Sequence, residues 1–281
     1  MNVGVAVSRL MPVAAAIVVA SGLTFAQSMS TTRTLRVCAD PNNLPFSNDR
    51  GEGFENVLAA MLADSQRAHL EYTWWAQRRG FIRQTLAAEA CDVVMGVPQG
   101  LDRVDTTRPY YASTYVFVSR GERRLNVQSL DDPRLARLQV GVQMIGDDFA
   151  NSPPAHALSA RGIVSNVRGF SVLGDYARAN PPARIVEAVA SGDVDVAIVW
   201  GPTAGYFARR QRVPLVVTPV APAADTVTHP LRFAIAMAVR RGDTARRQQL
   251  DEFITRYQHA IDRVLARYGV PRAPISNGGT R

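Results

Sequence analysis

The 281-residue sequence contains no lysine and only two cysteines. All 32 of its basic residues are arginine, against 24 acidic residues, which gives a formal net charge of +8 at pH 7. The arginines are scattered, without a block of five like charges and with few aromatic residues between them, so the composition argues against nucleic acid binding. The positive excess instead favours contact with an acidic surface.

Beyond the N-terminus the sequence lacks any apolar run long enough to span a membrane. Residues 1–26 contain one early positive charge, Arg9, then a short apolar run that ends in Thr24-Phe25-Ala26. This pattern predicts a secretory signal peptide that is cleaved before Gln27. No cysteine follows the apolar run closely, so we expect the mature protein to be free in the periplasm rather than lipid-anchored.

The common signatures of catalysis and metal binding are also missing. The four histidines show no metal-ligand spacing, and neither a Gly-x-Ser-x-Gly elbow nor a His-x-x-x-His pair occurs. We therefore expect no catalytic residue, no metal site and no cofactor, and hence a binding protein rather than an enzyme.

What the sequence does contain is a repeat. Residues 86–97 and 189–201 each read as the end of a helix, a tight turn, an Asp and a short apolar run that includes or ends in Gly. This pattern is typical of a helix that precedes a buried parallel strand. Two such units, separated by about a hundred residues, predict two similar lobes. Because parallel strands bind ligands at their carboxyl ends, we expect a site in the cleft between the lobes.

The order of the remaining segments predicts an α/β protein of two lobes, each a mainly parallel sheet flanked by helices. Two crossings join the lobes, and such crossings are natural hinges. We expect a signal peptide at 1–26, the first part of lobe 1 at 27–118, lobe 2 at 119–217, and the rest of lobe 1 with the C-terminal helix at 218–281. The predicted strands are 35–39, 70–75, a strand from 93, 114–118, 139–142, 214–220 and 233–239, and the predicted helices begin at 53, 81 (to 90), 154, 182 (to 191) and 244 (to 268).

Several short motifs resemble those of the type II periplasmic solute-binding proteins, in the same order along the chain. These motifs are Gly53-Phe54-Glu55, Cys91-Asp92-Val93-Val94, Thr107-Arg108-Pro109-Tyr110 and Val140-Gly141-Val142-Gln143.

Longer segments resemble a narrower group, the quinoprotein-dehydrogenase-associated binding proteins, which includes the J-type accessory proteins of periplasmic methanol dehydrogenase. The resemblance implies the same fold, but a role in assisting a pyrroloquinoline-quinone alcohol dehydrogenase rather than in feeding a transporter. It lies in residues 36–47, 74–81, 106–111 and 199–202.

One motif departs from the pattern of the amino-acid-binding members. Those members hold the ligand carboxylate with an Arg after the third strand and with a Gly-Thr or Gly-Ser turn at the start of a second-lobe helix. Here the turn contains Asp147 and Asp148, which would repel a carboxylate, although Arg103 and Arg108 are candidates for the first-lobe clamp. We therefore do not expect an ordinary amino acid carrier.

Candidate site residues follow from these positions. Asp147 and Asp148 could coordinate a hard cation or contact a basic partner. The commoner interpretation is that they place favourable negative charge in the first turn of a helix. Arg78 and Arg79 are candidates for docking an acidic partner, with a solvated loop as the equal alternative. Trp200, at a strand end, is favoured over Trp74 and Trp75 as a cleft aromatic. The predicted cleft residues are Asp40, Asn42, Phe46, Arg108, Tyr110, Tyr111, Gln143, Asp147, Asp148 and Trp200.

The two cysteines, Cys38 and Cys91, are expected to form a disulfide in an oxidising compartment. Parallel neighbouring strands in register would hold them about 10 Å apart, too far for a bond, so the pairing requires an offset.

The leading hypothesis is thus an accessory protein that binds a quinoprotein alcohol dehydrogenase and helps its maturation or activation. The alternatives are the ligand-delivering component of an ABC importer and, third, a lyase or dehydratase on the same scaffold.

Overall fold

The computed structural model describes residues 1–4, 33–145, 150–171, 176–221 and 230–275. The predicted signal peptide therefore lies almost wholly outside the described residues. Within the described ranges, no helix combines the length and the apolar character needed to cross a membrane.

The described chain contains thirteen strands and six α-helices. The strands are β1 Thr34–Ala39, β2 Asn42–Asn43, β3 Ser47–Asn48, β4 His69–Trp74, β5 Val93–Pro98, β6 Val104–Thr106, β7 Tyr111–Arg120, β8 Val140–Ile145, β9 Ala150–Asn151, β10 Val167–Ser171, β11 Val196–Trp200, β12 Leu215–Pro219 and β13 Arg232–Arg240. The helices are α1 Phe54–Ser65, α2 Phe81–Gln84, α3 Pro153–Ser159, α4 Arg184–Ser191, α5 Gly201–Ala208 and α6 Thr244–Arg267.

Eleven of the strands form one sheet. Eight of them follow the order β10-β8-β11-β7-β13-β5-β1-β4, in which the two halves mirror each other, and β6, β9 and β12 pair with β13, β8 and β7 respectively. In lobe 1, which we define by β1, β4, β5, β6 and β13, the first strand lies between the second and third, all parallel, and β13 is antiparallel. In lobe 2, defined by β8 to β12, β8 lies in the same way between β10 and β11, with β7 antiparallel. The predicted two-lobe α/β class is confirmed.

The lobes share the long strand β7. Its first residues, Tyr111–Thr114, pair with β13, and its last residues, Tyr115–Arg120, pair with β11 and β12. Nine of its ten residues are buried, which fits their β-branched and aromatic composition. The strand is longer than the predicted crossing at 114–118, and the domain boundaries at 118 and 217 stay predictions.

The repeated Asp of the sequence occupies equivalent positions in the two lobes. The N–H of Asp92 donates to the carbonyl of Arg36 at 2.8 Å, and its carboxylate accepts the N–H of Arg36 at 3.2 Å. The N–H of Asp195 donates to the carbonyl of Gln139 at 2.9 Å, and its carboxylate accepts the N–H of Gln139 at 2.8 Å. In each lobe this reciprocal pair ties the start of the third strand to the start of the first.

Helices α1 and α6 cover lobe 1. Helix α1 buries Phe54, Leu58 and Leu62 at the spacing of one helical face, and Leu250 and Ile254 of α6 belong to the same core. Burial of each such side chain contributes about 1.5–3 kcal/mol to folding. The packing therefore holds α1 and α6 firmly on the sheet of lobe 1 and fixes where each helix begins.

The helix predicted at 81–90 is wrong in its length, because α2 ends after one turn at Gln84. The hydroxyl of Thr85 donates to the carbonyl of Phe81 at 2.6 Å, and the backbone of Thr85 leaves the helical region. A Thr side chain that bonds to its own turn in this way competes with helix propagation. Glu89 then adopts a left-handed conformation, so the segment continues as turns.

The predicted disulfide between Cys38 and Cys91 is present, with the two Cα atoms 5.5 Å apart. In the β1–β5 register Cys38 faces Val94, not Cys91. The chain turns just before β5, and this turn brings Cys91 within bonding reach. That turn is the offset that the pairing required.

Candidate functional site

A cavity of about 500 Å³ lies where β5 of lobe 1 and β11 of lobe 2 end. Both repeated segments of the sequence thus end at its wall. The lining residues are Asn43, Phe46, Glu55, Gln77, Gly96, Val97, Pro98, Tyr111, Tyr115, Gln143, Pro153, Pro182, Trp200, Thr203, Phe233 and Ile235.

Glu55, in the first turn of α1, brings a carboxyl group to this cavity. The carboxyl lies directly against Gly96 at the end of β5, where a Cβ atom would overlap Glu55 Oε1. A glycine at this point of the strand is therefore what makes room for the acid.

The Glu55 carboxyl is buried without a counter-charge. The residue is 8% exposed, and among the described residues no hydrogen bond or opposite charge offsets the effect of burial on its side chain. A place in the first helical turn favours the ionised form. Burial outweighs this preference and raises the pKa of Glu55 to about 8. At neutral pH the Glu55 carboxyl is therefore mostly protonated.

Aromatic side chains from both lobes form much of the remaining wall. The ring of Trp200 packs edge-on against Tyr115 and Phe233, with centroid distances of 5.4 and 5.8 Å. The backbone N–H of Trp200 donates to Oε1 of Gln143 at 2.7 Å, which ties the end of β11 to the neighbouring β8. Burial also raises the pKa of Tyr115, so its hydroxyl stays neutral.

Four of the predicted cleft residues that the structure describes do not line this cavity, and Arg108 and Tyr110 are two of them. Arg108 does not line the cavity: its backbone N–H donates to Asp251 at 2.6 Å and its guanidinium to Thr255 at 3.0 Å, both on α6. Tyr110 is fully buried beneath the wall and donates its hydroxyl to the carbonyl of Met95 at 2.9 Å. Of the predicted cleft residues, those that line the cavity are Phe46, Tyr111, Gln143 and Trp200.

Asp40 and Asn42 instead form a latch between the lobes, which we define as their contacts with residues 176–180. The Asn42 side chain donates to the carbonyl of Arg178 at 2.8 Å and accepts the N–H of Asn180 at 3.1 Å. The hydroxyl of Tyr176 donates to Asp40 Oδ2 at 3.0 Å, and burial and the Asp40 carboxylate raise the pKa of Tyr176.

The latch lies next to the cavity along the chain. Asn43 and Pro182, which follow its two sides, both line the cavity wall. The Asp40 carboxylate also accepts the N–H groups of Asn42 and Gln77, at 2.8 and 2.7 Å. Asp40 therefore orders one side of the latch from within.

Arg78 and Arg79 are exposed on the segment that follows β4. Trp75, on the same segment, is 43% exposed, and Gln77 lines the cavity. The segment thus forms part of the cavity rim. Asp147 and Asp148 lie outside the described residues, and among the residues that are described no cluster of three or more His, Cys, Asp or Glu is placed to hold a metal ion.

Sequence reasoning did not select Glu55, Tyr115, Thr203 or Phe233 as site residues. Glu55 carried a usable signal, since an acid in the first turn of an apolar helix and a glycine at a strand end are each readable. Their contact depends on tertiary packing, which the sequence pattern does not show.

Comparison with known proteins gives relatives over most of the chain. The chain is 32% identical to Protein MoxJ of Methylorubrum extorquens over 251 residues, which are 87% of this chain and 83% of that protein. It is also similar to the crystal structure of the periplasmic binding protein XoxJ from Methylobacterium extorquens AM1, at 33% identity and a TM-score of 0.71, covering 86% of this chain and all of that one.

The crystal structure of MxaJ from Methylophaga aminisulfidivorans matches at 29% identity and a TM-score of 0.74, covering 85% of this chain and all of that one. No family model matches the chain.

Proposed function

This chain belongs to the MoxJ family of periplasmic binding proteins, and we propose that it binds a periplasmic pyrroloquinoline-quinone-dependent methanol dehydrogenase and assists its maturation or activation. The mature protein acts in the periplasm, as a non-catalytic binding partner.

One observation carries the proposal. The four segments that resemble the dehydrogenase-associated proteins are far apart in sequence, yet each contributes a residue to the cavity wall. These residues are Phe46, Gln77, Tyr111 and Trp200. The segments on which the resemblance rests therefore meet at one place, and this convergence supports the proposal.

The cavity rim offers a docking surface, which we define as Trp75, Arg78 and Arg79. Trp and Arg are the residue types that dominate binding energy at protein interfaces. An exposed Trp beside two exposed arginines, in a protein of net charge +8, suits an acidic partner surface.

The test measures binding of the chain from Gln27 onward to the dehydrogenase of the same organism, in apo and cofactor-loaded forms. We expect tight binding at low salt, at least tenfold weaker binding at high salt, and a preference for the apo enzyme if the role is maturation. The double variant Arg78→Glu/Arg79→Glu should weaken binding at least tenfold through the association rate.

The double variant Arg256→Glu/Arg263→Glu is the matched control, because it changes the net charge by the same amount at two exposed arginines that lie on α6. Equal weakening by both variants would assign the effect to net charge alone. No detectable complex at low salt with either form of the enzyme would overturn the proposal.

The cavity and its latch favour a second candidate, the substrate-binding component of an ABC importer for a small organic molecule. That role predicts a ligand that stabilises the protein by about 2.7 kcal/mol at a hundredfold excess over its Kd. A screen that finds such a ligand, together with no binding to the dehydrogenase, would favour this candidate over the first.

A further inference from the structure

We propose that the cavity binds a small aliphatic ammonium ion that carries no carboxylate, with Glu55 as its counter-ion and the aromatic wall as its apolar surround. This inference does not depend on the dehydrogenase partner.

The charge of the cavity wall favours a cationic ligand. Of the described residues that line the cavity, Glu55 is the only one with an acidic or basic side chain. A buried carboxyl without a partner costs free energy, and a bound cation recovers that cost by supplying the missing charge. The carboxyl is held in place by packing against Gly96, so the site is built around it.

The cavity wall does not suit an amino acid as a ligand. An amino acid or other zwitterion also needs a cation for its carboxylate, and Arg108, the candidate clamp, is engaged with α6 on another surface. None of the described residues in the wall is an arginine. A ligand carboxylate would therefore be buried without a cationic partner, next to an acid whose ionised form would repel it.

Aromatic residues form the apolar part of the cavity wall. Five aromatic residues line the cavity, namely Phe46, Tyr111, Tyr115, Trp200 and Phe233. Ring faces attract cations, most strongly when water is excluded, and a Trp face attracts them best. The same rings bury a short alkyl chain, so a small alkylammonium ion matches both parts of the wall.

Binding of a cation to Glu55 is coupled to loss of the Glu55 proton. The titratable groups that interact with Glu55 among the described residues are Tyr72 on β4, Tyr110 before β7 and Tyr111 on β7, all with a raised pKa and therefore neutral near pH 7. With the pKa of Glu55 at about 8, a cation that binds the ionised form must displace its proton. A neutral ligand that accepts a hydrogen bond from the protonated acid would instead lose affinity above pH 8.

The experiment is isothermal titration calorimetry of the mature protein with four probes of equal chain length: n-butylammonium, n-butanol, butyrate and 4-aminobutyrate. We expect binding of n-butylammonium, with little or none of the other three. Its affinity should rise about tenfold per pH unit between pH 6 and 7.5 and level off above 8. Titration in buffers of different ionisation enthalpy should show about one proton released per amine bound at pH 7.

Glu55→Gln keeps the size of the side chain and removes its charge, and it should weaken n-butylammonium at least a hundredfold and abolish proton release. Glu71→Gln, at an exposed acid on β4, is the matched control and should bind as the wild type does. Gly96→Ala, which displaces the Glu55 carboxyl without altering its charge, should weaken binding as well. A circular dichroism melt of each variant confirms that it is folded.

Undiminished binding by a folded Glu55→Gln, equal binding of n-butanol, or no binding of n-butylammonium at any pH would overturn the proposal. None of these results affects dehydrogenase binding through Trp75, Arg78 and Arg79, so the two proposals fail separately.

Discussion

Lobes 1 and 2 have the same strand order and the same reciprocal Asp pair, yet they differ in how strongly that pair is reinforced. Asp92 of lobe 1 faces three arginines, Arg36 at 2.8 Å, Arg240 at 3.6 Å and Arg246 at 4.0 Å. Asp195 of lobe 2 has one ion-pair partner among the described residues, an arginine on the chain before β8. The backbone geometry repeats, whereas the charges around it do not.

The same division holds at the cavity. The strand ends that reach it are repeated in sequence, but the buried acid is not, since lobe 1 contributes Glu55 and none of the described lobe 2 residues in the wall is an acid. The disulfide Cys38–Cys91 also belongs to lobe 1 alone. The repeat therefore encodes the architecture, whereas the disulfide, the extra arginines and the buried acid come from residues that are not repeated.

Removal of the disulfide should have the largest effect on this comparison. The bond closes a loop of 53 residues, for which the chain-entropy model gives about 4 kcal/mol of stabilisation. We expect Cys38→Ala/Cys91→Ala to lower the free energy of unfolding in urea by about that amount. Native-state hydrogen exchange should accelerate first in β1, β4 and β5.

Reduction of the wild-type protein with a thiol is the control and should reproduce the loss. Equal early acceleration in β8, β10 and β11 would show that the disulfide does not distinguish the lobes.

Glu55→Gln should produce the next largest effect, and in the opposite direction. Because burial raises the pKa of Glu55 to about 8 from 4.5, the native state binds more protons than the unfolded state between these values. The stability of the wild type therefore falls as pH rises from 4.5 to 8. Relative to the wild type, Glu55→Gln should gain about 3 kcal/mol at pH 7 and nothing at pH 4.5.

Urea unfolding at several pH values measures this gain, with Glu71→Gln as the exposed control. If the free energies of unfolding of the wild type and Glu55→Gln change in parallel from pH 4.5 to 8, Glu55 is not a buried acid with a raised pKa.

The two repeated aspartates allow a direct contrast between the lobes. Asp92→Asn leaves three arginines facing a neutral side chain in a mostly buried place, and we expect a loss of about 3 kcal/mol. Asp195→Asn breaks a more exposed pair and should cost about 1 kcal/mol. Urea midpoints of the two variants measure the difference. Equal losses would mean that the added arginines of lobe 1 contribute nothing.

The pKa of Asp92 gives the pH range of this effect. Burial raises the pKa, but the hydrogen bonds from Arg36 and the nearby arginine charges outweigh burial and lower it. A carboxylate with a lowered pKa stabilises the native state above its unfolded pKa of about 4, and the contribution is lost as pH falls below that value.

Much of the fold could be predicted because its signals are local. The apolar run after Asp92 and the run after Asp195 are each readable within a dozen residues, and they predicted two similar lobes. The prediction of a helix at 81–90 was wrong in its length, and the cause is also local. The Thr85 hydroxyl bonds to the carbonyl of Phe81 in its own turn. Periodicity counts apolar residues and does not include such side-chain bonds.

The site was less predictable because its contacts join residues far apart in sequence. Trp200 and Gln143 could be placed near strand ends from the pattern alone. The direction of Arg108 depends on Asp251 and Thr255, more than 140 residues later, and no local signal reports that contact. Likewise, Glu55 becomes a site residue only because Gly96 of another strand leaves room for it.

The latch tests whether the two lobes are held together by hydrogen bonds outside the shared sheet, and we expect the smallest effect here. Asn42→Ala removes two bonds between the lobes, and Tyr176→Phe removes one. At about 1 kcal/mol per bond, Asn42→Ala should shift the population toward a more open form further than Tyr176→Phe does. Fluorescence energy transfer between dyes on α1 and α4 measures the shift, with Gln248→Ala on α6 as the control. If neither variant changes the transfer efficiency, the shared strand β7 and its neighbours alone set the distance between the lobes, and the latch orders only its own two loops.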